Sequence, residues 1–324
     1  MDKEHIDSQI SKLEEKYKDS GQDLSSYLDG LLYQRYLTYW DYINLDTLLS
    51  IQVPRTHFPD EEIFIMYHQI TELYFKLILH EQKQLVNDKS QNGDFFIEKV
   101  NRINSYYQVL ISSFKVMIKG MQREQFIQYR MALMPASGFQ SAQYRMIEIY
   151  ATPLENLVHY SERDNFSADN SIGERYEHLY WKKGATDVIT GEKTLTLKQF
   201  EERYTPRLLR IAKQVENNTI YHKYLQLPEE IRNNKTLIEA LKALDINANI
   251  NWPLMHIGSA YRYLTRDEGH IEATGGTNWK EYLPPSFQKV VFFPKLYTEQ
   301  ELNNWGKQWL DHIFNPQKVK GNYE

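Results

Sequence analysis

Apolar residues recur with a helical period along nearly the whole chain. From Asp60 onward they fall at Ile63, Met66, Tyr67, Ile70, Leu73, Tyr74 and Leu77, which predicts a helix with that face in the core. Asp60, following Pro59, is the expected N-cap, with Glu61 and Glu62 in the first turn, where carboxylates oppose the helix dipole. A neighbouring strip holds Phe64, Phe75, Leu79 and one imidazole, His68, so this helix should be buried over most of its girth. The same periodicity predicts helices over Ile10 to Tyr17, Tyr33 to Ile51, Phe95 to Gln128, Gly138 to Tyr150, Leu197 to Val215, Leu237 to Ala243, Leu254 to Leu264 and Glu299 to Phe314. Strand signals are confined to short runs such as Val290 to Phe293.

Turn residues punctuate this pattern at MPASGF (Met134 to Phe139), ERDNFSADNSIGE (Glu162 to Glu174), GATDVITGEKT (Gly184 to Thr194) and ATGGTNW (Ala273 to Trp279). There is no internal repeat and no low-complexity linker. The economical reading is an all-α fold: one large helical domain over residues 1–324, with a small helical excursion at about 165–226.

Composition narrows the chemistry. With no Cys, the chain has no thiol nucleophile, disulfide, zinc knuckle or thiolate-ligated haem, so any metal must be held by His, carboxylate, Tyr or Met. A net charge of -5 offers no general attraction for phosphate backbones or anionic lipid, so neither nucleic acid nor a membrane is an expected partner. The N-terminus MDKEHIDSQISKLEEKY lacks the apolar core of a signal peptide. No later run reaches the roughly 18 apolar residues of a membrane span. A cytoplasmic location is therefore expected. Aromatic residues, 14% of the chain, suit a pocket for a flat ligand as well as a plain core.

His68 shares its strip with Phe64, one turn earlier. It is either a core imidazole satisfied by a backbone carbonyl or by Glu72, or a neutral acceptor beside an aromatic wall. Arg130 lies one turn after Phe126 and precedes an apolar run. It is either a solvated surface charge or, facing a cavity, a partner for a carboxylate. Pro135 ends that helix, and Ala136-Ser137-Gly138 brings backbone amides and the Ser137 hydroxyl alongside. After Thr274, Gly275 and Gly276 permit close backbone approach to a ligand. His256 follows NWPLMH, with Pro253 near an expected helix start. His80-Glu81 opens like H-E-x-x-H, but Gln84 stands where the second His must be, and no phosphate-binding loop or nucleophile elbow occurs.

Four segments taken together are more specific than any one residue. FIMYHQITELYFKLILHE, YRMALMPASGFQSAQYRMIE and ATGGT closely resemble, in this order, signature segments of the tryptophan 2,3-dioxygenase family, and YWDYINLDTLL (Tyr39 to Leu49) resembles its N-terminal helix. The resemblance spans about Tyr39 to Thr277, and its ASGFQSxQYR block is the most distinctive part.

The resemblance implies an all-helical homotetramer that holds a non-covalent b-type haem. It also implies insertion of both atoms of O2 across the indole C2–C3 bond of L-tryptophan to give N-formyl-L-kynurenine, the first step of tryptophan catabolism by the kynurenine pathway. By the same resemblance His68 accepts a hydrogen bond from the indole N–H, Phe64 and Phe126 pack beside the ring, and Arg130 pairs with the substrate carboxylate. Thr274 and a haem propionate hold the ammonium group, Ser137 lies near haem and substrate, and Tyr39, Tyr42 and Ile43 reach into a neighbouring subunit's pocket. The axial ligand is expected at His256, on an apolar helix side, with His270 in the same interval as its competitor. The loop after T-G-G departs from the family's small-residue pattern with Asn278, Trp279 and Lys280. That change would serve an alternative reaction, the addition of one oxygen to a substituted indole or another aromatic amino acid.

Overall fold

The computed structural model describes residues 2–18, 23–34, 37–133, 138–186, 190–266, 269–270 and 284–307. By contacts the chain divides into two compact units, Met1–Val53 and Pro54–Glu324. The first carries α1 (Lys3–Lys18), α2 (Leu24–Tyr33), α3 (Tyr39–Ile43) and α4 (Leu45–Leu48). The single helix expected over Tyr33 to Ile51 is therefore two short ones. Asn44 between them is left-handed, at φ 53 and ψ 48, a conformation that Asn tolerates and that stops an α-helix.

The second unit is built on α5 (Asp60–Asn87) and α6 (Gly93–Gly120), followed by α7 (Arg123–Tyr129) and α8 (Ala142–Ala151). The helix expected over Phe95 to Gln128 breaks at Met121, which is extended, so Phe126 belongs to a separate element. Further along come α9 (Leu154–Leu157), α10 (Ile172–Glu177), α11 (Tyr180–Gly184), α12 (Leu195–Gln214), α13 (Ile220–Gln226), α14 (Glu229–Arg232), α15 (Lys235–Ile246) and α16 (Trp252–Leu264). The main core joins α5, α6 and α8 to Tyr176, Trp181, Phe200 and Tyr224, so residues 165–226 feed the same core as the long helices. An antiparallel pair, β1 (Thr265–Arg266) with β2 (Gly269–His270), is the one sheet among the described residues. The helices are the all-α fold that the periodicity predicts. Among the described residues no helix is long and apolar enough to cross a membrane.

Three further expectations are corrected. Of the face of α5 assigned to the core, Tyr67 is buried as expected but Met66, Ile70, Leu73 and Leu77 are exposed, and Phe75, Ile78, Leu79 and Leu85 are buried instead. Because this helix is apolar nearly all round, period alone cannot choose which side packs. Asp60 is the first helical residue rather than the N-cap, and its side chain makes no cap bond to α5. Val290–Phe293 is buried irregular chain without strand pairing. The backbone N–H groups of Phe292 and Phe293 donate to the carboxylate of Asp245 at 2.9 and 3.0 Å, so a side chain replaces the missing sheet partner.

The ASGFQSAQYRMIE block is partly a folding device. Ser141 caps α8 by accepting from the Tyr144 N–H at 3.2 Å. Arg145, buried in α8, pairs with Glu148 at 2.9 Å, donates to the Tyr180 hydroxyl at 3.0 Å, and lies over the rings of Tyr144 and Trp181. Truncating one partner of such a pair strands the other charge in the core. Arg145→Ala should therefore cost about 3–5 kcal/mol, read as a lowered unfolding midpoint, and Arg145→Met with Glu148→Leu should recover most of it. An unchanged midpoint in Arg145→Ala would refute this.

Candidate active site

Two helices that start together form one wall. The Asp60 carboxylate at the head of α5 accepts from the Gln122 N–H just before α7, while Gln125 of α7 accepts from the Asp60 N–H at 3.1 Å. Glu61 accepts from the backbone N–H groups of Arg55 and Thr56 at 2.8 and 2.7 Å, which ties down the chain entering α5. This reciprocal clamp fixes where Phe64 and His68 on α5 stand relative to Phe126 on α7 and Arg130 just after it.

The rings then meet. Phe64 lies 4.1 Å from His68, 6.1 Å from Phe126 and 6.0 Å from Tyr129, centroid to centroid. His68 also meets Tyr67 edge-on at 5.8 Å; Tyr67 packs on Phe114 of α6, and Phe114 stands 6.3 Å from His256 of α16. Phe126 packs on Tyr263 at 4.8 Å.

His68 Nδ1 lies 2.7 Å from the Phe64 carbonyl oxygen, which can only accept, so Nδ1 carries the proton and Nε2 is left as the acceptor. Glu72, the other partner considered for this ring, is engaged by Gln143, whose amide donates to its carbonyl and carboxylate at 2.8 Å each. His68 is exposed and His256 half-buried by accessible surface, and protein packs densely around both. That enclosure favours the uncharged forms. Burial lowers the His68 pKa; burial and then the nearby His68 push His256 down to about 4. At neutral pH this aromatic cluster therefore holds two neutral imidazoles, and a neutral imidazole is the form that ligates iron.

Among the described residues no group of three or more His, Asp or Glu could hold a bare metal ion. Two neutral imidazoles near each other among aromatic rings are a donor set that fits a flat macrocycle bringing its own iron and needing a single axial ligand.

Arg130 is 6% exposed, so it is not a solvated surface charge, and burial lowers its pKa. It follows the last turn of α7, its N–H donating to the Phe126 carbonyl, and so sits one turn beyond the ring that meets Phe64. Tyr39, Tyr42 and Ile43 lie on α3 of the first unit, both tyrosines exposed and Ile43 half-buried. Ser137 and Thr274 lie outside the described residues, as does the Asn278–Lys280 stretch; of His270 the backbone is described, in β2. Sequence reasoning missed Tyr67, Phe114, Tyr129 and Tyr263 in the wall, since each reads as an ordinary core aromatic. It also missed the Asp60–Gln122–Gln125 clamp, whose only trace was an acidic residue at a helix start.

Comparison with known proteins identifies the family. Tryptophan 2,3-dioxygenases of Ruegeria sp. (strain TM1040) and Herpetosiphon aurantiacus are each 30% identical to the chain, over 81% of it and over 91% and 96% of their own lengths. That of Bacillus thuringiensis subsp. konkukian is 29% identical over 81% of the chain and 91% of its own length. The family description tryptophan 2,3-dioxygenase matches residues 31–195, a span that includes His68, Phe126, Arg130 and the whole ASGFQSAQYRMIE block. The chain belongs to the tryptophan 2,3-dioxygenase family.

Proposed function

We propose that this protein is a haem-dependent tryptophan 2,3-dioxygenase that converts L-tryptophan and O2 to N-formyl-L-kynurenine. The observation that carries the reading is the pair of neutral, neighbouring imidazoles, His68 and His256, among aromatic rings, with Nε2 of His68 left as a hydrogen-bond acceptor. His256 would hold the iron of a b-type haem, and the bound haem supplies the centre at which O2 is activated. Both oxygen atoms end in the product, across the former indole C2–C3 bond, so no external reductant is consumed.

The chain's own share is orientation and exclusion of water. Phe64 and Phe126 offer flat faces to an indole, and His68 Nε2 takes the hydrogen bond from its N–H. Arg130 matches the substrate carboxylate with its planar fork. Thr274, with a haem propionate, would hold the ammonium group, and Ser137 would lie beside both ligands. Tyr39, Tyr42 and Ile43 would complete the pocket of a neighbouring subunit in a cytoplasmic homotetramer. Assembly is supported by the exposed row Met66, Ile70, Leu73 and Leu77 on α5, an apolar stripe that a lone chain leaves in water. In this reading residues 1–324 act as one haem-binding dioxygenase domain.

Turnover under oxygen-18 should place two labelled atoms in each product molecule. Incorporation of one would overturn the reading in favour of a monooxygenase. His68→Ala should lower kcat/KM for L-tryptophan only about five- to tenfold, because one neutral hydrogen bond contributes about 1 kcal/mol. The same substitution should leave turnover of N1-methyltryptophan, which has no N–H to donate, unchanged; an equal fall with both substrates would remove His68 from this role. Because burial lowers its pKa, His68 should keep accepting below the ordinary histidine range, so KM should hold through neutral pH and rise only in more acid solution.

A further inference from the structure

From Lys235 to Leu264 the backbone forms one helical rod, α15 and α16 joined by a π-turn at Asn247–Asn251. Pro253, expected near a helix start, instead lies inside this rod. In an α-helix its ring would clash with the carbonyl four residues back and supply no N–H. The wider turn relieves both demands. The Trp252 N–H reaches back five residues to Asn247 O, and the Ala248 carbonyl, for which Pro253 has no N–H, accepts from the Tyr144 hydroxyl at 2.9 Å.

A π-turn carries one residue more than an α-turn, so everything after it is rotated by about 100°. His256 lies eleven positions after Asp245, about three α-turns. An unbroken α-helix would aim it where Asp245 points, at the backbone of Phe292 and Phe293. With the extra residue it falls in line with Leu237, Leu241 and Leu244, on the side that meets α6, and there it finds Phe114.

The turn is held by polar side chains in a place where apolar ones would be cheaper. Asn104 of α6, itself buried, donates to Ala240 O at 2.9 Å and accepts from Asn247 Nδ2 at 3.2 Å; Asn247 Oδ1 in turn accepts from Asn251 Nδ2 at 3.0 Å. Buried amides cost desolvation unless bonded, and their return is a unique geometry rather than bulk stability. Their side-chain bonds run to one another and to the Ala240 carbonyl, within the rod and α6.

We infer that the Asn104–Asn247–Asn251 ladder, by holding this π-turn, sets the rotation at which His256 is presented to the haem iron. The three asparagines are positioning residues. The inference rests on the reading of His256 as axial ligand, and the experiment separates the two.

Full-length haem-loaded wild type, Asn104→Ala, Asn251→Ala and His256→Ala are compared by resonance Raman of the ferrous iron–histidine stretch, by haem transfer to apomyoglobin and by far-UV circular dichroism. Asn104→Ala should keep its helical content, shift and broaden the iron–histidine band, and lose haem on the order of tenfold faster, the scale on which partners behind a metal ligand act. Asn251→Ala removes only the last rung and should shift the band the same way by less; it decides the matter if Asn104→Ala fails to fold. A ladder that only stabilised the fold would lower the melting temperature and leave band and transfer rate unmoved, and that outcome overturns the inference. An iron–histidine band that persists in His256→Ala overturns both readings. Its loss there, beside unchanged bands in the asparagine variants, overturns the positioning role alone.

Discussion

His256→Ala is expected to purify without a Soret band and with dioxygenase activity at background. Among the described residues His256 and His68 are the two imidazoles of the aromatic cluster, and they are not equivalent. His68 spends Nδ1 on the carbonyl of its own helix, one turn back, and stands against Phe64. His256 projects from a rod anchored along α6: Asn104 holds Asn247, Phe114 packs on Trp252 at 4.7 Å, and the Tyr263 hydroxyl donates to the Met117 carbonyl. A ligand on an anchored rod keeps its place when the iron changes charge, which an axial histidine must do. Exogenous imidazole should enter the space left by the truncated side chain and restore part of the Soret absorbance. Retention of a normal five-coordinate spectrum without added imidazole would move the ligand to His270, in β2.

The line between what was legible in the sequence and what was not is drawn by interaction range. Helical period is local, so α5, α8 and α12 were readable to within a few residues. Which side of α5 packs depends on partners far away in sequence, and there the pattern misled: Met66 and Ile70 are as apolar as Phe75 and Ile78 yet lie outside. The break between α6 and α7 was hidden for the same reason. It is enforced by Asp60, some sixty residues earlier, whose carboxylate takes the Gln122 N–H. Pro253 was a visible signal with two local meanings, a helix start or a widened turn. Only Tyr144 and Asn104, supplied by other helices, select the second. His68 and Arg130 were individually ambiguous. The fold puts His68 Nδ1 on a backbone carbonyl, engages Glu72 elsewhere and buries Arg130 one turn beyond Phe126.

Arg130→Ala should lower kcat/KM for L-tryptophan by about 2–4 kcal/mol, roughly 30- to 1,000-fold, the range for losing one side of a desolvated, charge-assisted contact. The size follows from burial. At 6% exposure the guanidinium is poorly hydrated, so a substrate carboxylate gains little by finding water in its place. Part of the loss should fall on kcat, because the carboxylate anchor also fixes which edge of the indole is presented for reaction. Arg130→Lys keeps the charge and loses the fork, and should recover only part of the rate. Tryptamine, which has no carboxylate, separates recognition from damage: wild type and Arg130→Ala should turn it over alike. A fall of the same size with tryptamine would make Arg130 a structural residue of α7, and undiminished kcat/KM for L-tryptophan would remove it from the pocket altogether.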